Sequence, residues 1–319
     1  MDVTTAEIGG EGSMEQKKQA VLVDAALFLT AAIWGFGFLA GAGAVVSFPP
    51  FMILAMRYGG AMLLMLLSFH KYARNVSVAD IKKCICLGVI QFVGAAMQLI
   101  ALKYTTPGKQ AFLVTSYVVF VPFISWAILK KRPAPKAVLA GFVTLVGIAL
   151  LSVKESLSMG LGEGLSILFA IIFGIQIVIT GMLMKNISPF VLSFFQFFTV
   201  GVMALAVSVF MGETLPSEPS HYAVGSVVYL IVFNTIIAFT VQNIAQKYVP
   251  DTRTSLILST ESIFGFLFSA LLLGERMKVR GVVGSVLIFG AVLFSKIDWK
   301  NVWKKRKTVG ERSHTVLEK

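Results

Sequence analysis

Met97-Gln98-Leu99-Ile100-Ala101-Leu102-Lys103-Tyr104 returns later in the chain as Val241-Gln242-Asn243-Ile244-Ala245-Gln246-Lys247-Tyr248. Gln98/Gln242, Ile100/Ile244, Ala101/Ala245, Lys103/Lys247 and Tyr104/Tyr248 agree at a displacement of 144 residues. One residue fewer in the following turn makes the displacement 143, which holds for Pro107/Pro250, Ser116/Ser259, Gly141/Gly284 and Gly147/Gly290. A weaker echo at 139 pairs Gly35 with Gly174 and Pro50-Phe51 with Pro189-Phe190. A register kept over this distance is an internal duplication, and it divides the chain into two like halves.

Composition says where those halves reside. Hydrophobic residues make up 56% of the 319 and charged residues 14%, with a mean hydropathy of +0.82. A water-soluble domain has far fewer apolar residues to hide, so the chain reads as an all-α integral membrane protein. Helical spans need about 20 apolar residues, and charges, prolines and glycines divide the sequence into ten such segments. They cover Ala20 to Gly41, Pro50 to His70, Ile81 to Leu102, Gln110 to Leu129, Ala137 to Val153, Leu165 to Met184, Val191 to Met211, Ala223 to Asn243, Thr254 to Leu273 and Val279 to Lys296. Uninterrupted runs of this length exclude outer-membrane strands. The first run is long for a signal peptide, and its Gly35 has a repeat partner, so it reads as a span.

Basic residues orient the bundle. If both termini face the cytoplasm, 21 of the 28 Lys and Arg fall on that side and 6 on the other, with Arg57 inside the second span; that asymmetry is the positive-inside pattern. Five spans per half is an odd number, so the two repeats, 20–153 and 163–296, are expected to be inverted relative to each other. Residues 1–19 form a polar cytoplasmic tail. Residues 297–319 form a basic one, whose cluster from Trp299 to Lys307 suits an anionic inner leaflet of membrane lipid. The net charge of +12 is spread over short membrane-flanking loops, which speaks against a nucleic-acid partner. Cys84 and Cys86 fall on different helix faces and the three histidines are scattered, so neither a catalytic cluster nor a metal site is expected.

Ionisable groups inside a bilayer cost about 2.5 to 3.5 kcal/mol each on insertion scales and mark function by default. Glu261, in Ser259-Thr260-Glu261-Ser262, lies about 10 Å into the ninth span. It is the proton-coupling candidate, with binding of a substrate ammonium or a structural hydrogen bond as alternatives. Arg57 lies at a similar depth in the second span and is assigned a structural charge. Among neutral groups, Gln98 and Gln242 are repeat partners, as are Ser116 and Ser259. Trp34, Gln98, Tyr117, Gln176, Gln242, Ser259 and Glu261 are the candidate lining of a substrate cavity near the midplane. Any single amide among them can equally serve as interhelical glue worth about 0.6 kcal/mol.

Leu273-Gly274-Glu275-Arg276, followed by Gly281, Gly284 and Leu287-Ile288-Phe289-Gly290-Ala291-Val292-Leu293, resembles the closing signature of the EamA-type drug/metabolite transporter superfamily. Trp34-Gly35, Arg57 in Ala55-Met56-Arg57-Tyr58, and Tyr117-Val118-Val119-Phe120-Val121-Pro122 are similar to further motifs of that family. The first half departs from it with Lys131-Arg132 in place of Gly-Glu, and the second with Ser262 where proline is common. The resemblance spans essentially the whole chain. It implies two five-helix repeats and export of small organic metabolites such as amino acids, by alternating access, across an inner (plasma) membrane. No cofactor is implied, and a homodimer is left open. No Walker-type loop is present to couple ATP. The alternative class, a membrane-embedded enzyme for lipid or isoprenoid substrates, would call for grouped carboxylates or a metal-ligand spacing that the sequence lacks.

Overall fold

The computed structural model of the chain describes residues 4–69, 76–130, 132, 135–152, 160–276 and 278–296. Lys71, Arg74, Lys131, Lys154 and the C-terminal cluster from Trp299 lie outside the described residues. Among the described residues every regular element is helical. They comprise α1 (Thr4–Ala44), α2 (Pro50–Phe69), α3 (Val78–Ala101), α4 (Pro107–Thr115), α5 (Tyr117–Leu129), α6 (Pro135–Ser152), α7 (Leu161–Leu183), α8 (Pro189–Phe210), α9 (His221–Tyr229), α10 (Ala238–Tyr248), α11 (Asp251–Leu258), α12 (Glu261–Leu273) and α13 (Val279–Lys296). A π-helical stretch, Leu230–Ile237, joins α9 to α10.

Local chemistry sets many of these boundaries. Proline is the first residue of α2, α4, α6 and α8, where its missing N–H costs nothing and its fixed φ is already helical. Ser77, Thr106 and Ser220 cap α3, α4 and α9, each side chain accepting a backbone N–H from the first turn. α5 and α12 both end on a left-handed residue, Lys130 and Gly274. Glycine adopts that conformation without strain and lysine does not.

Among the described residues eight segments are long and apolar enough to cross a membrane, including Gln19–Ala44, Pro107–Leu129, His221–Tyr248 and Asp251–Leu273. α6 and α13 are shorter and pack chiefly on each other. Eight of the ten expected spans are matched by these long segments; at the positions of the fifth and tenth stand the short helices α6 and α13. Ahead of Gln19, α1 continues as helix back to Thr4 through polar sequence that the reading above assigned to a tail. Large apolar side chains face outward along the bundle, with Leu67, Phe210 and Val279 each more than three-quarters exposed, as a lipid-facing surface requires.

Two segments are interrupted where the sequence repeat puts equivalent residues. α4 breaks from α5 at Ser116, and α11 breaks from α12 at Ser259 and Thr260. Both serines turn their hydroxyls into the preceding turn, Ser116 donating to the Leu113 carbonyl at 2.6 Å and Ser259 to Leu256 at 2.5 Å. Such back-bonding bends helices. Packing follows the same exchange of halves: α3 lies on α7 as α9 and α10 lie on α1, and α4 with α5 lies on α7 as α11 with α12 lies on α1. α2 with α8, and α6 with α13, pack as self-exchanging pairs.

Candidate functional site

The interruption at Ser259 and Thr260 makes Glu261 the first residue of α12, deep in the bundle and 3% exposed. A glycine brings α1 against it. A Cβ on Gly35 would lie 2.5 Å from the Phe264 Cβ and 3.0 Å from the Glu261 carbonyl oxygen, so only glycine allows this approach. Two residues on, a Cβ at Gly37 would sit 1.9 Å from the Asn234 amide nitrogen, which is why the π-helical stretch can lodge its Asn234 against α1. Trp34 Nε1 donates to the Asn234 backbone carbonyl at 3.1 Å, and the Tyr229 hydroxyl donates to the Ile33 carbonyl at 2.9 Å. These bonds tie the turn of α1 just before the glycines to Tyr229 at the end of α9 and to Asn234 in the π-helical stretch.

Arg57 meets the same stretch. Its Nε donates to Thr235 Oγ1 and one terminal nitrogen to Asn234 Oδ1, both at 2.6 Å, and its guanidinium lies 4.8 Å from the centre of the Tyr58 ring. Those two bonds use two of the five N–H donors of the fork. Among the described residues no carboxylate pairs with it. Glu261 likewise has no basic partner there, and its Oε1 has no hydrogen-bond partner.

These two ionisable side chains line one narrow cavity of about 40 Å³, room for a few water molecules. Trp34, Gly37, Phe38, Gly41, Gln98, Val114, Phe173 and Asn234 complete most of its wall. An aromatic cluster closes around it, with Trp34 centred 5.6 Å from Phe173 and 5.0 Å from Phe239, and Tyr117 5.0 Å from Phe173.

Of the residues singled out from sequence, Trp34, Gln98 and Glu261 line the cavity. Tyr117 stands just behind, fully buried beside Phe173, its hydroxyl near Glu261 but outside hydrogen-bond geometry. Ser259 spends its hydroxyl on its own helix. Gln242 donates to Gln246 Oε1 at 3.0 Å, and Gln246 in turn donates to the Ile177 carbonyl at 2.8 Å, a buried amide chain apart from the cavity wall. Gln176 is buried and is not part of the wall. Arg57, read as structural, does brace the π-helical stretch, yet it also faces the cavity. Asn234 is a polar residue within the apolar span Ala223 to Asn243, and its pairing with Arg57 carries no sequence signal.

Carboxylates outside the cavity cap helices across the bundle. Glu213 accepts from the Met52 N–H at 2.7 Å at the start of α2. Glu275 accepts from the Gly108 N–H at 3.0 Å at the start of α4, and also from the Thr106 and Ser269 hydroxyls. Glu275 belongs to the Leu-Gly-Glu-Arg motif, and the clamp it makes joins the end of α12 to the head of α4.

A bundle of apolar helices in two like halves, around a cavity lined by one guanidinium and one carboxyl group, fits a multi-pass membrane protein of the transporter class. The EamA-like transporter family matches residues 21–153 and 160–296, once per half, and the chain belongs to that family. An uncharacterized transporter of Archaeoglobus fulgidus is 28% identical over 283 residues, covering 89% of this chain and 88% of the relative. The uncharacterized transporter YyaM of Bacillus subtilis is 23% identical, covering 77% and 84%. A solved crystal structure superposes with a TM-score of 0.62 at 17% identity, over 88% of this chain and 96% of that one, a likeness of fold.

Proposed function

We propose that the protein is a secondary transporter that exports small organic metabolites, amino acids foremost, by alternating access of its central cavity. The reading takes the ten helices as two inverted five-helix repeats in an inner membrane, with both termini cytoplasmic. One observation carries the substrate class: Arg57 and Glu261 line the same cavity, and neither has an opposite charge beside it among the described residues. A zwitterion supplies both missing partners, its carboxylate to the free donors of Arg57 and its ammonium to Glu261. Binding then offsets the cost of keeping each charge away from water. Trp34 and Phe173 offer an apolar surface to the remainder of the solute. Glu261 also serves as the proton-coupling group, since its carboxyl can hold either a proton or the substrate ammonium.

Uptake and counterflow of a labelled metabolite panel in proteoliposomes, with and without an imposed pH gradient, test this in wild type and Glu261→Gln. The expected result is saturable flux of zwitterionic solutes that a pH gradient drives in wild type and no longer drives in the variant. Flux indifferent to both the gradient and the substitution would leave a facilitator and remove Glu261 from coupling. Selective flux of uncharged solutes would overturn the zwitterion assignment.

A further inference from the structure

Among the described residues, ion pairs at two places join one half of the chain to the other. Lys109 Nζ pairs with Glu163 Oε1, linking α4 to α7. Arg253 pairs with Asp24 through two nitrogens, its Nε donating to Oδ1 at 3.1 Å and its terminal nitrogen to Oδ2, linking α11 to α1. The two correspond under the repeat, closely in their acidic members and within one residue in their basic ones. Asp24 and Glu163 stand 139 residues apart, the displacement that pairs Gly35 with Gly174. Lys109 and Arg253 both lie in the first turn of equivalent helices, α4 and α11; at the displacement of 143 that holds there Lys109 aligns with Thr252, so Arg253 stands one residue beyond the aligned position.

They also stand at opposite ends of the bundle. Arg253 opens the segment from Asp251 to Leu273, and Glu275, whose carboxylate caps α4 beside Lys109, closes it. Those residues are 22 positions apart, about 33 Å at 1.5 Å per residue. Glu261 lies between them, about 12 Å along the helix from Arg253 and about 21 Å from Glu275. Each pair therefore ties a helix of one half to a helix of the other, one pair toward each end of the bundle, with the cavity between them. Both pairs are made at once, and the cavity between them is only about 40 Å³, too small for an amino acid.

We propose that Lys109–Glu163 and Asp24–Arg253 are the two gate latches of the transport cycle, opened alternately, and that with both closed the cavity is occluded. The assignment rests on the alternating-access reading above. The latches differ in strength. Glu163 is nearly fully buried while Arg253 is about half exposed, so water weakens the Asp24–Arg253 pair more. Glu275 reinforces the Lys109 end through Gly108, Thr106 and Ser269. At the other end the aligned positions hold Lys131 and Arg132, which cannot accept those bonds. The Asp24–Arg253 mouth, cytoplasmic in the proposed orientation, thus releases more readily, as an exporter loading from the cytoplasm requires.

The test reads accessibility and needs no substrate. A single cysteine at the cavity residue Val114 (Val114→Cys on a Cys84→Ala, Cys86→Ser background) is labelled with a membrane-impermeant maleimide in intact cells and in inside-out vesicles. Arg253→Gln and Asp24→Asn should raise labelling from the cytoplasmic side by about two- to fivefold, the population shift expected from losing a partly exposed ion pair. Lys109→Gln and Glu163→Gln should raise it from the outer side instead. The charge-exchanged double variant Lys109→Glu/Glu163→Lys should return labelling toward wild type, and it replaces Glu163→Gln if that variant does not fold. Unchanged labelling, or a rise on the same side for both pairs, would overturn the latch assignment. Side-specific labelling without flux of any zwitterionic solute would keep the latches and the alternating access they serve, and overturn the proposed substrate class instead.

Discussion

Arg57 is held by a side chain on each side of one peptide bond, Asn234 and Thr235. A lysine would preserve the charge and lose that fork. Arg57→Lys is therefore expected to weaken binding of a zwitterionic solute by about 10- to 100-fold, the equivalent of one or two hydrogen bonds to a charged group, with folding intact. Arg57→Gln should remove measurable binding; isothermal titration on detergent-purified protein checks both, and unchanged affinity in Arg57→Lys would return Arg57 to a purely structural role. Both charges of this site were legible in the sequence, because a bilayer makes every ionisable residue conspicuous. The division of labour was not. Whether a buried arginine serves structure or a ligand depends on how many of its donors its neighbours use, and Asn234 and Thr235 reach it from 177 and 178 residues away. Ser259 misled for the opposite reason: a hydroxyl can always bond its own helix, and here it does.

At the scale of elements, the positions of the helices follow from proline starts, polar caps and apolar run length, and these lie in the sequence. Their interruptions do not. The π-helical stretch Leu230–Ile237 reads as an ordinary apolar segment, and only packing against Gly37 shows why Asn234 must be set there. A widened turn of this kind often marks a functional site, and this one carries both partners of Arg57. Glu275 shows how one motif residue organises two elements, since its carboxylate caps α4 while its own backbone follows the end of α12. Glu275→Gln keeps an acceptor and loses the charge; Glu275→Ala loses both. The alanine variant should lower stability by about 1 to 3 kcal/mol and the glutamine variant by less than half of that, on the worth of an N-terminal cap with charge-assisted bonds. Thermal unfolding of the purified protein followed by intrinsic fluorescence would measure the difference. Equal losses in the two variants would assign the effect to packing rather than to the cap.

For the whole molecule, the duplication was the most legible property, and the exchange of packing partners between halves bears it out, from α3 on α7 matching α9 and α10 on α1 to the paired breaks at Ser116 and Ser259. The relative orientation of the halves is a separate matter, because a two-fold along the membrane normal would exchange the same contacts as one lying in the membrane plane. The two cases differ in where repeat partners emerge. Lys103 and Lys247 occupy equivalent, exposed positions at the ends of α3 and α10. Inverted repeats put them on opposite sides of the membrane, Lys103 outside and Lys247 in the cytoplasm, whereas parallel repeats put them on the same side. Single cysteines at the two positions, on the Cys84→Ala, Cys86→Ser background, should react with opposite sidedness. Lys103→Cys is expected to label with an impermeant maleimide in intact cells, and Lys247→Cys only after permeabilisation or in inside-out vesicles. Because odd helix number is what inverts the second half, labelling of both from one side would force an even count of spans per half, with the short helices α6 and α13 no longer crossing. The alternating mouths would then lose the symmetry that makes each the counterpart of the other.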